Sequence, residues 1–434
     1  MLVGAALAQG ILLMSGILAA RLLGPEDRGH LALLVLPPLI LGSVGGLGLP
    51  QALAYRWARD PDGRAAVLRV VAPAYLAQCV LLTLATAGIY ALFLTPGAPE
   101  LARTAALLLP STAAILSWQY AVAGAQGRQK FDLATAVLIS GPALYVVLLL
   151  AAVAAGTTHL EAIALFWTVS YLGAGALGLV LAVRHLGPST GAGAPVSFRE
   201  LFSFGIRAVP SLASPIQALR LDQAVVGILL GAASLGLYVA AFAVTNLPLI
   251  LAAFMSLTIS GKVAAEVDGV AAERALRRMI LALAGASLAL GAVVWVLAPM
   301  LIGELFGPEF LGATTAARIL VLGVVAAALL RSIGDGLRAL GDSTASAVGE
   351  ISSWVVLVPA LLILSVVAGL EGAAVAVAAT YGTGLAVVLA RWYRRGRSHG
   401  AAPLGHPRAP VGWARGRGAV ASEPLRAKPV IGDD

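Results

Sequence analysis

The sequence predicts an all-α polytopic membrane protein with twelve transmembrane helices in two six-helix lobes related by a pseudo-twofold axis. Three observations lead there: the composition, the spacing of apolar runs with an uneven distribution of charge, and an internal repeat. Of 434 residues, 59% are hydrophobic and only 12% charged. A soluble domain carries about 25% charged residues. So few charges cannot cover a water-facing surface, whereas lipid solvates an apolar exterior. The apolar runs are long and unbroken, without the alternation at every second residue that a membrane β-barrel needs. The 49 glycines suit close approach between packed spans.

A span needs about 20 mostly apolar residues. Such runs lie near 2–21, 30–55, 67–94, 103–124, 133–155, 160–183, 203–229, 236–260, 279–303, 315–337, 347–368 and 371–390. No basic segment or cleavage site precedes the first run, so no signal peptide is expected. With the N-terminus in the cytoplasm, 24 of the 29 Lys and Arg residues fall on inner loops, their flanks or the tail. Arg21, Arg28, Arg103 and Arg318 fall outside, and Arg220 lies well within a span. The asymmetry follows the positive-inside rule and predicts both termini in the cytoplasm. The expected organisation is a first lobe over 1–183, a linker over 184–202, a second lobe over 203–390 and a basic tail over 391–434.

The halves resemble each other. LLGPEDRG at 22–29 matches LLGAASLG at 229–236, Pro38-Leu39-Ile40 matches Pro248-Leu249-Ile250, and Gly127 matches Gly341 within similar heptapeptides. The offsets are 207, 210 and 214 residues, in one order along the chain, as a duplication produces. An even number of spans per half gives both halves one orientation. Parallel repeats of this kind place a transport site between them.

The net charge of +8 does not indicate a nucleic-acid-binding domain, because the tail alone holds eight Arg and one Lys against three acidic residues. The tail is instead suited to anionic membrane lipid. Cys79 is the only cysteine, and no Cys/His group has metal-ligand spacing, so neither a disulfide nor a metal or other cofactor is expected. No sizeable polar loop offers room for catalytic residues, which argues against an enzyme. Asp60-Pro61-Asp62 imitates a metal-binding pair of sugar transferases but lies in a short loop without a domain around it.

ARLLGPEDRGHLALLVLPPLILGSVGGLGLPQAL (20–53) resembles the first hairpin of bacterial polysaccharide flippases, in the multidrug/oligosaccharidyl-lipid/polysaccharide exporter superfamily. LRLDQAVVGILLGAASLGLYVAAFAVTNLPLIL (219–251) resembles the start of their second half, and 305–323 and 337–342 their later spans. The resemblance implies alternating access between two lobes in the inner, plasma membrane. It implies an undecaprenyl-diphosphate-linked oligosaccharide as cargo, and glycan polymerases or glycosyltransferases as partners. Many such flippases line the cavity with Arg and Lys, of which few are buried here.

A diphosphate-linked sugar needs a wet cationic groove, so polar residues within spans are the candidates. A charge at mid-span costs about 2.5–3.5 kcal/mol on insertion scales. Arg220 can hold a phosphate through its planar fork. Asp222 can orient a cation or act as a proton-linked switch, or either residue can be a structural charge. Arg207 lies nearer the cytoplasmic start of the same span, which also holds Gly205, Pro210 and Pro215 and so reads as a hinge. Gln51 and Arg56 lie toward the inner end of span two, where Arg56 can meet the diphosphate or simply anchor the span. Gln119 and Asn246 suit sugar hydroxyls or interhelical hydrogen bonds. Arg331, Asp335 and Arg338 share one helix face and read as a structural ion cluster. The alternative function is a cation-coupled small-molecule exporter of the same superfamily. It is disfavoured because the first half has no Asp or Glu deep within a span.

Overall fold

The computed structural model describes residues 2–60, 62–184, 196–212, 214–253, 255, 263, 269–340, 342 and 344–399. Lys262, Gly341, residues 185–195 of the expected linker and the tail beyond His399 lie outside them. Among the described residues there are helices, turns and no strand.

The first half contains α1 (Leu2–Val44), α2 (Leu49–Arg59), α3 (Arg64–Ile89), α4 (Ala102–Gly127), α5 (Phe131–Ala155) and α6 (Leu160–Arg184). The second contains α7 (Phe198–Leu212), α8 (Leu221–Leu230), α9 (Ala232–Thr245) and the short α10 (Leu247–Ala253). It ends with α11 (Gly269–Leu305), α12 (Thr314–Ala339) and α13 (Ala345–His399).

By length and apolar composition, eight helical stretches are able to cross a membrane, or nine if the bent pair α9–α10 counts as one. Two of the eight are double: Leu7–Arg59 passes through a kink at Gly24, and Ala347–Arg394 through one at Ala368–Gly369. Twelve segments result only when these are divided and α7 is joined to α8, so twelve remains the count expected from sequence.

The loop expected over 22–29 is one residue long. Gly24 (φ 70°, ψ 178°) turns the chain, Pro25 opens the next helix with its fixed φ, and the second span begins at once. Gly231 repeats the geometry 207 residues later (φ 85°, ψ 174°). This backbone region is essentially restricted to glycine. The matched octapeptides are therefore matched in conformation, which supports the pseudo-twofold relation between lobes.

Each lobe has its own packing. Leu34, Leu108, Leu149 and Ile163 form one first-lobe cluster, and Leu49, Trp57, Val67 and Leu116 another. Leu235, Phe306, Phe310, Leu320 and Leu357 belong to the large second-lobe cluster. Large apolar side chains such as Leu81, Leu92, Phe93, Val296 and Val367 point outward, the arrangement that lipid tolerates and water does not. Of the expected ion cluster, Asp335 and Arg338 are joined by a salt bridge.

Candidate functional site between the lobes

Three spans near the lobe interface are discontinuous. Span two stops at Val44 and restarts as α2, with left-handed Leu47 (φ 49°) and Gly48 (φ 70°) between. The Gly46 carbonyl accepts from Leu49 N (2.9 Å) and from the Gln78 amide (3.2 Å), and Tyr120 in turn donates to Gln78 Oε1 (2.8 Å). A break inside a bilayer requires such substitutes for the lost helical bonds. Beyond it, Gly48 presses against Gly205 of α7, so close that a Cβ on Gly205 would lie 2.8 Å from the Leu47 carbonyl oxygen. Tyr55 stacks on Phe204 (4.5 Å) and Arg56 pairs with Glu200 (3.8 Å), which ties α2 to α7.

Span seven breaks between Leu212 and Leu221. Pro215 supplies no backbone N–H, yet its carbonyl accepts from Leu221 N (3.0 Å), and Ser214 O accepts from Leu219 N (3.0 Å). Arg220 is left-handed (φ 45°, ψ 42°), a conformation that costs a non-glycine residue about 1–2 kcal/mol. Span eight bends by 46° between α9 and α10, at Asn246. Discontinuous helices at a repeat interface are where transporters commonly bind their cargo.

The breaks of spans seven and eight border a cavity of about 260 Å³ between the lobes. The first half contributes Gln9, Ser15 and Arg28 from α1, Tyr145 from α5 and Trp167 from α6; the second contributes Gln217, Arg220, Gln223 and Asn246. No Asp or Glu is among the lining residues. Neither arginine makes an ion pair among the described residues, and the two lie close enough to feel each other's charge. Two guanidinium groups thus face one cavity whose lining has no carboxylate, while Asp222 next to it interacts electrostatically with Arg220. The Asn246 Oδ1, Tyr145 hydroxyl and Trp167 Nε1 are buried without a hydrogen-bond partner, a state costing about 1–3 kcal/mol per group.

Of the residues singled out from sequence, Arg220 and Asn246 line this cavity. Asp222 lies behind the wall, only 1% exposed, and its Oδ2 accepts a hydrogen bond from the Tyr238 hydroxyl (2.9 Å). Arg56 and Gln51 sit on α2 away from the cavity; the Gln51 Oε1 is buried without a partner. Arg207 is exposed on α7 and donates to the Ser203 carbonyl (2.7 Å). Gln119 is half-buried on α4, off the cavity wall. Sequence reasoning missed Arg28, counting it with the outer loops. One signal was available: in the matched octapeptides Arg28 aligns with Leu235, a cation in one copy where the other has an apolar residue.

Residues 1–260, more than half the chain, match the family described as polysaccharide biosynthesis protein. The chain belongs to that family. No curated protein matches it at the sequence level. Among solved structures, this polysaccharide biosynthesis protein is similar to one described as the lipid II flippase MurJ in an inward closed conformation. The TM-score is 0.72 at 14% identity, over 90% of this chain and 87% of that one. An inward-facing multidrug resistance MATE family transporter of the MOP superfamily aligns with a TM-score of 0.66 at 19% identity, over 93% and 96% of the two chains. A MOP superfamily transporter from Pyrococcus furiosus, described as having a binding pocket of reverse polarity, gives 0.64 at 20% identity over 93% and 95%. These likenesses establish the all-helical, two-lobed transporter fold.

Proposed function

We propose that this protein is a flippase that moves an undecaprenyl-diphosphate-linked oligosaccharide across the plasma membrane by alternating access. The observation that carries the reading is the convergence of Arg28 and Arg220 on a carboxylate-free cavity between the lobes. A diphosphate is a dense anion, and planar guanidinium forks bind its oxygens in pairs. The break in span seven aims Arg220 into the cavity, and the start of span two brings Arg28 from the opposite lobe. Cargo held between them contacts both moving bodies at once, so its binding can bias their relative position.

In this reading both termini are cytoplasmic, the lobes cover 1–183 and 203–390, and 184–202 links them. The basic tail lies against anionic lipid, and the enzymes that make or polymerise the glycan are the partners. The protein itself carries out no covalent chemistry.

Arg220→Ala should abolish surface-glycan export while the protein still inserts in the membrane. Normal export by a stably inserted variant would remove Arg220 from the mechanism. The second reading, a small-molecule exporter, is favoured by the MATE-like neighbours. Drug resistance on expression with unchanged surface glycan would select it.

A further inference from the structure

The cavity has a second wall that phosphate binding leaves unused. Tyr145 stands edge-on to Trp167 (centroids 5.3 Å apart, 89° between planes), and Trp167 leans on Tyr171 (4.7 Å). This packing fixes the rings before any ligand arrives. Tyr145 is 3% exposed, yet its hydroxyl has no partner, and neither has the buried Trp167 Nε1. Several comparable groups elsewhere are satisfied, although the buried Trp57 Nε1, away from the cavity, is not. The Tyr90 hydroxyl donates to the Leu34 carbonyl (2.5 Å), Tyr120 to Gln78 (2.8 Å), and the Trp118 Nε1 to the Val137 carbonyl (2.8 Å). Both residues line the cavity, with their donor atoms just beneath its surface, and Tyr145 is near enough to Arg28 to interact with it electrostatically.

We propose that Tyr145 and Trp167 form a saccharide-reading subsite beside the two arginines. This rests on the diphosphate reading above and adds to it the part of the cargo that is recognised selectively. A pyranose ring offers an apolar C–H face to an aromatic surface and hydroxyl or amide oxygens to nearby donors. Tyr145 and Trp167 present ring and donor together. A polyprenyl chain fits poorly, because it would leave both donors buried without acceptors. A diphosphate alone has no use for the aromatic surface.

The test uses the purified full-length protein and two probes, undecaprenyl diphosphate and the same lipid bearing a single N-acetylhexosamine, with binding read by native mass spectrometry. Wild-type protein should prefer the sugar-bearing probe. Tyr145→Phe and Trp167→Phe should each weaken its binding by about three- to tenfold, the loss of one ligand hydrogen bond, and leave the sugar-free probe unchanged. Arg28→Ala should weaken both probes alike. Equal losses for both probes in Tyr145→Phe would mean a purely structural role and overturn the subsite. So would a wild type that binds both probes equally and variants that change neither, although the diphosphate reading would then stand. A wild type that binds neither probe defeats the diphosphate reading and the subsite with it. Tyr145→Phe removes one oxygen and keeps the ring, and an unchanged melting temperature separates recognition from misfolding.

Discussion

Gly29 and Gly236 pack on each other's helix in a reciprocal pair: Gly29 faces the Ala232 carbonyl, and Gly236 faces the Pro25 carbonyl. Gly29 matches Gly236 and Pro25 matches Ala232 at the same 207-residue offset. The contact is thus a pseudo-twofold one, the same patch used twice, as in an isologous interface between two subunits. It brings the start of span two against the start of span eight, which is what lets Arg28 face Arg220 across the cavity.

The crossing predicts an order of sensitivity among glycines. A Cβ on Gly29 or Gly236 would fall onto a backbone carbonyl, so alanine there must push the lobes apart. Alanine at Gly24 meets no atom within 4 Å and suffers only backbone strain, worth about 1–3 kcal/mol. Thermal melting of the purified variants should rank Gly24→Ala as milder than Gly29→Ala or Gly236→Ala. The reverse order would mean that the crossing is loosely packed.

Arg220 combines a strained backbone with a proposed binding role, and two substitutions separate these. Arg220→Gly should relieve the left-handed strain and raise stability by about 1–2 kcal/mol, yet lose export. Arg220→Ala should lose export without that gain. Export assays paired with melting curves read both quantities, and retained export in Arg220→Gly would disconnect the side chain from transport.

The Gly48–Gly205 contact joins span two to α7, and Gly205→Ala should loosen it. Backbone hydrogen exchange around 46–52 and 203–208 should then speed up. Unaltered exchange would show that the neighbouring Tyr55–Phe204 stack holds the contact alone. Glu200→Gln should change stability by less than about 1 kcal/mol, because the Arg56–Glu200 pair is partly exposed.

Between α12 and α13, Arg391 donates to both carboxylate oxygens of Asp342 (2.7 and 2.8 Å). These hydrogen bonds hold the Asp342 carboxyl below its ordinary range. Its contribution to stability is therefore complete above the usual carboxylate value of about 4, and is lost as pH falls through the lowered folded value. Melting temperature should drop on acidification below about pH 4, and Arg391→Met should flatten that dependence. An identical acid profile in the variant would show the clamp to be energetically silent.

The residues of the site were unequally legible. Arg220 stands out in the sequence because a cation inside an apolar run is conspicuous and costly. Arg28 does not, because Glu26 and Asp27 precede it and make the segment read as a loop. Only the single-residue turn at Gly24 places it on a span facing the cavity. Asp222 is two residues from Arg220, yet the left-handed turn at Arg220 sends them to different surroundings, one into the cavity and the other against Tyr238. Tyr145 and Trp167 are ordinary span aromatics in one dimension; their unused donors become visible only when every neighbouring acceptor is known.

The helical class, the membrane habit and the duplication were all determined by sequence alone. Each depends on sums over local segments: the transfer of an apolar run into lipid, the charge of a loop, the recurrence of a short motif. Which polar groups share a cavity was decided by the tertiary structure. That depends on the direction in which the chain leaves the turn at Gly24 and the breaks of spans seven and eight, and each redirects every side chain after it. Gly24 and Gly231 show both halves of this: their repetition is readable in the sequence, but the crossing they create, and the two arginines it brings to one cavity, exist only once the lobes are packed.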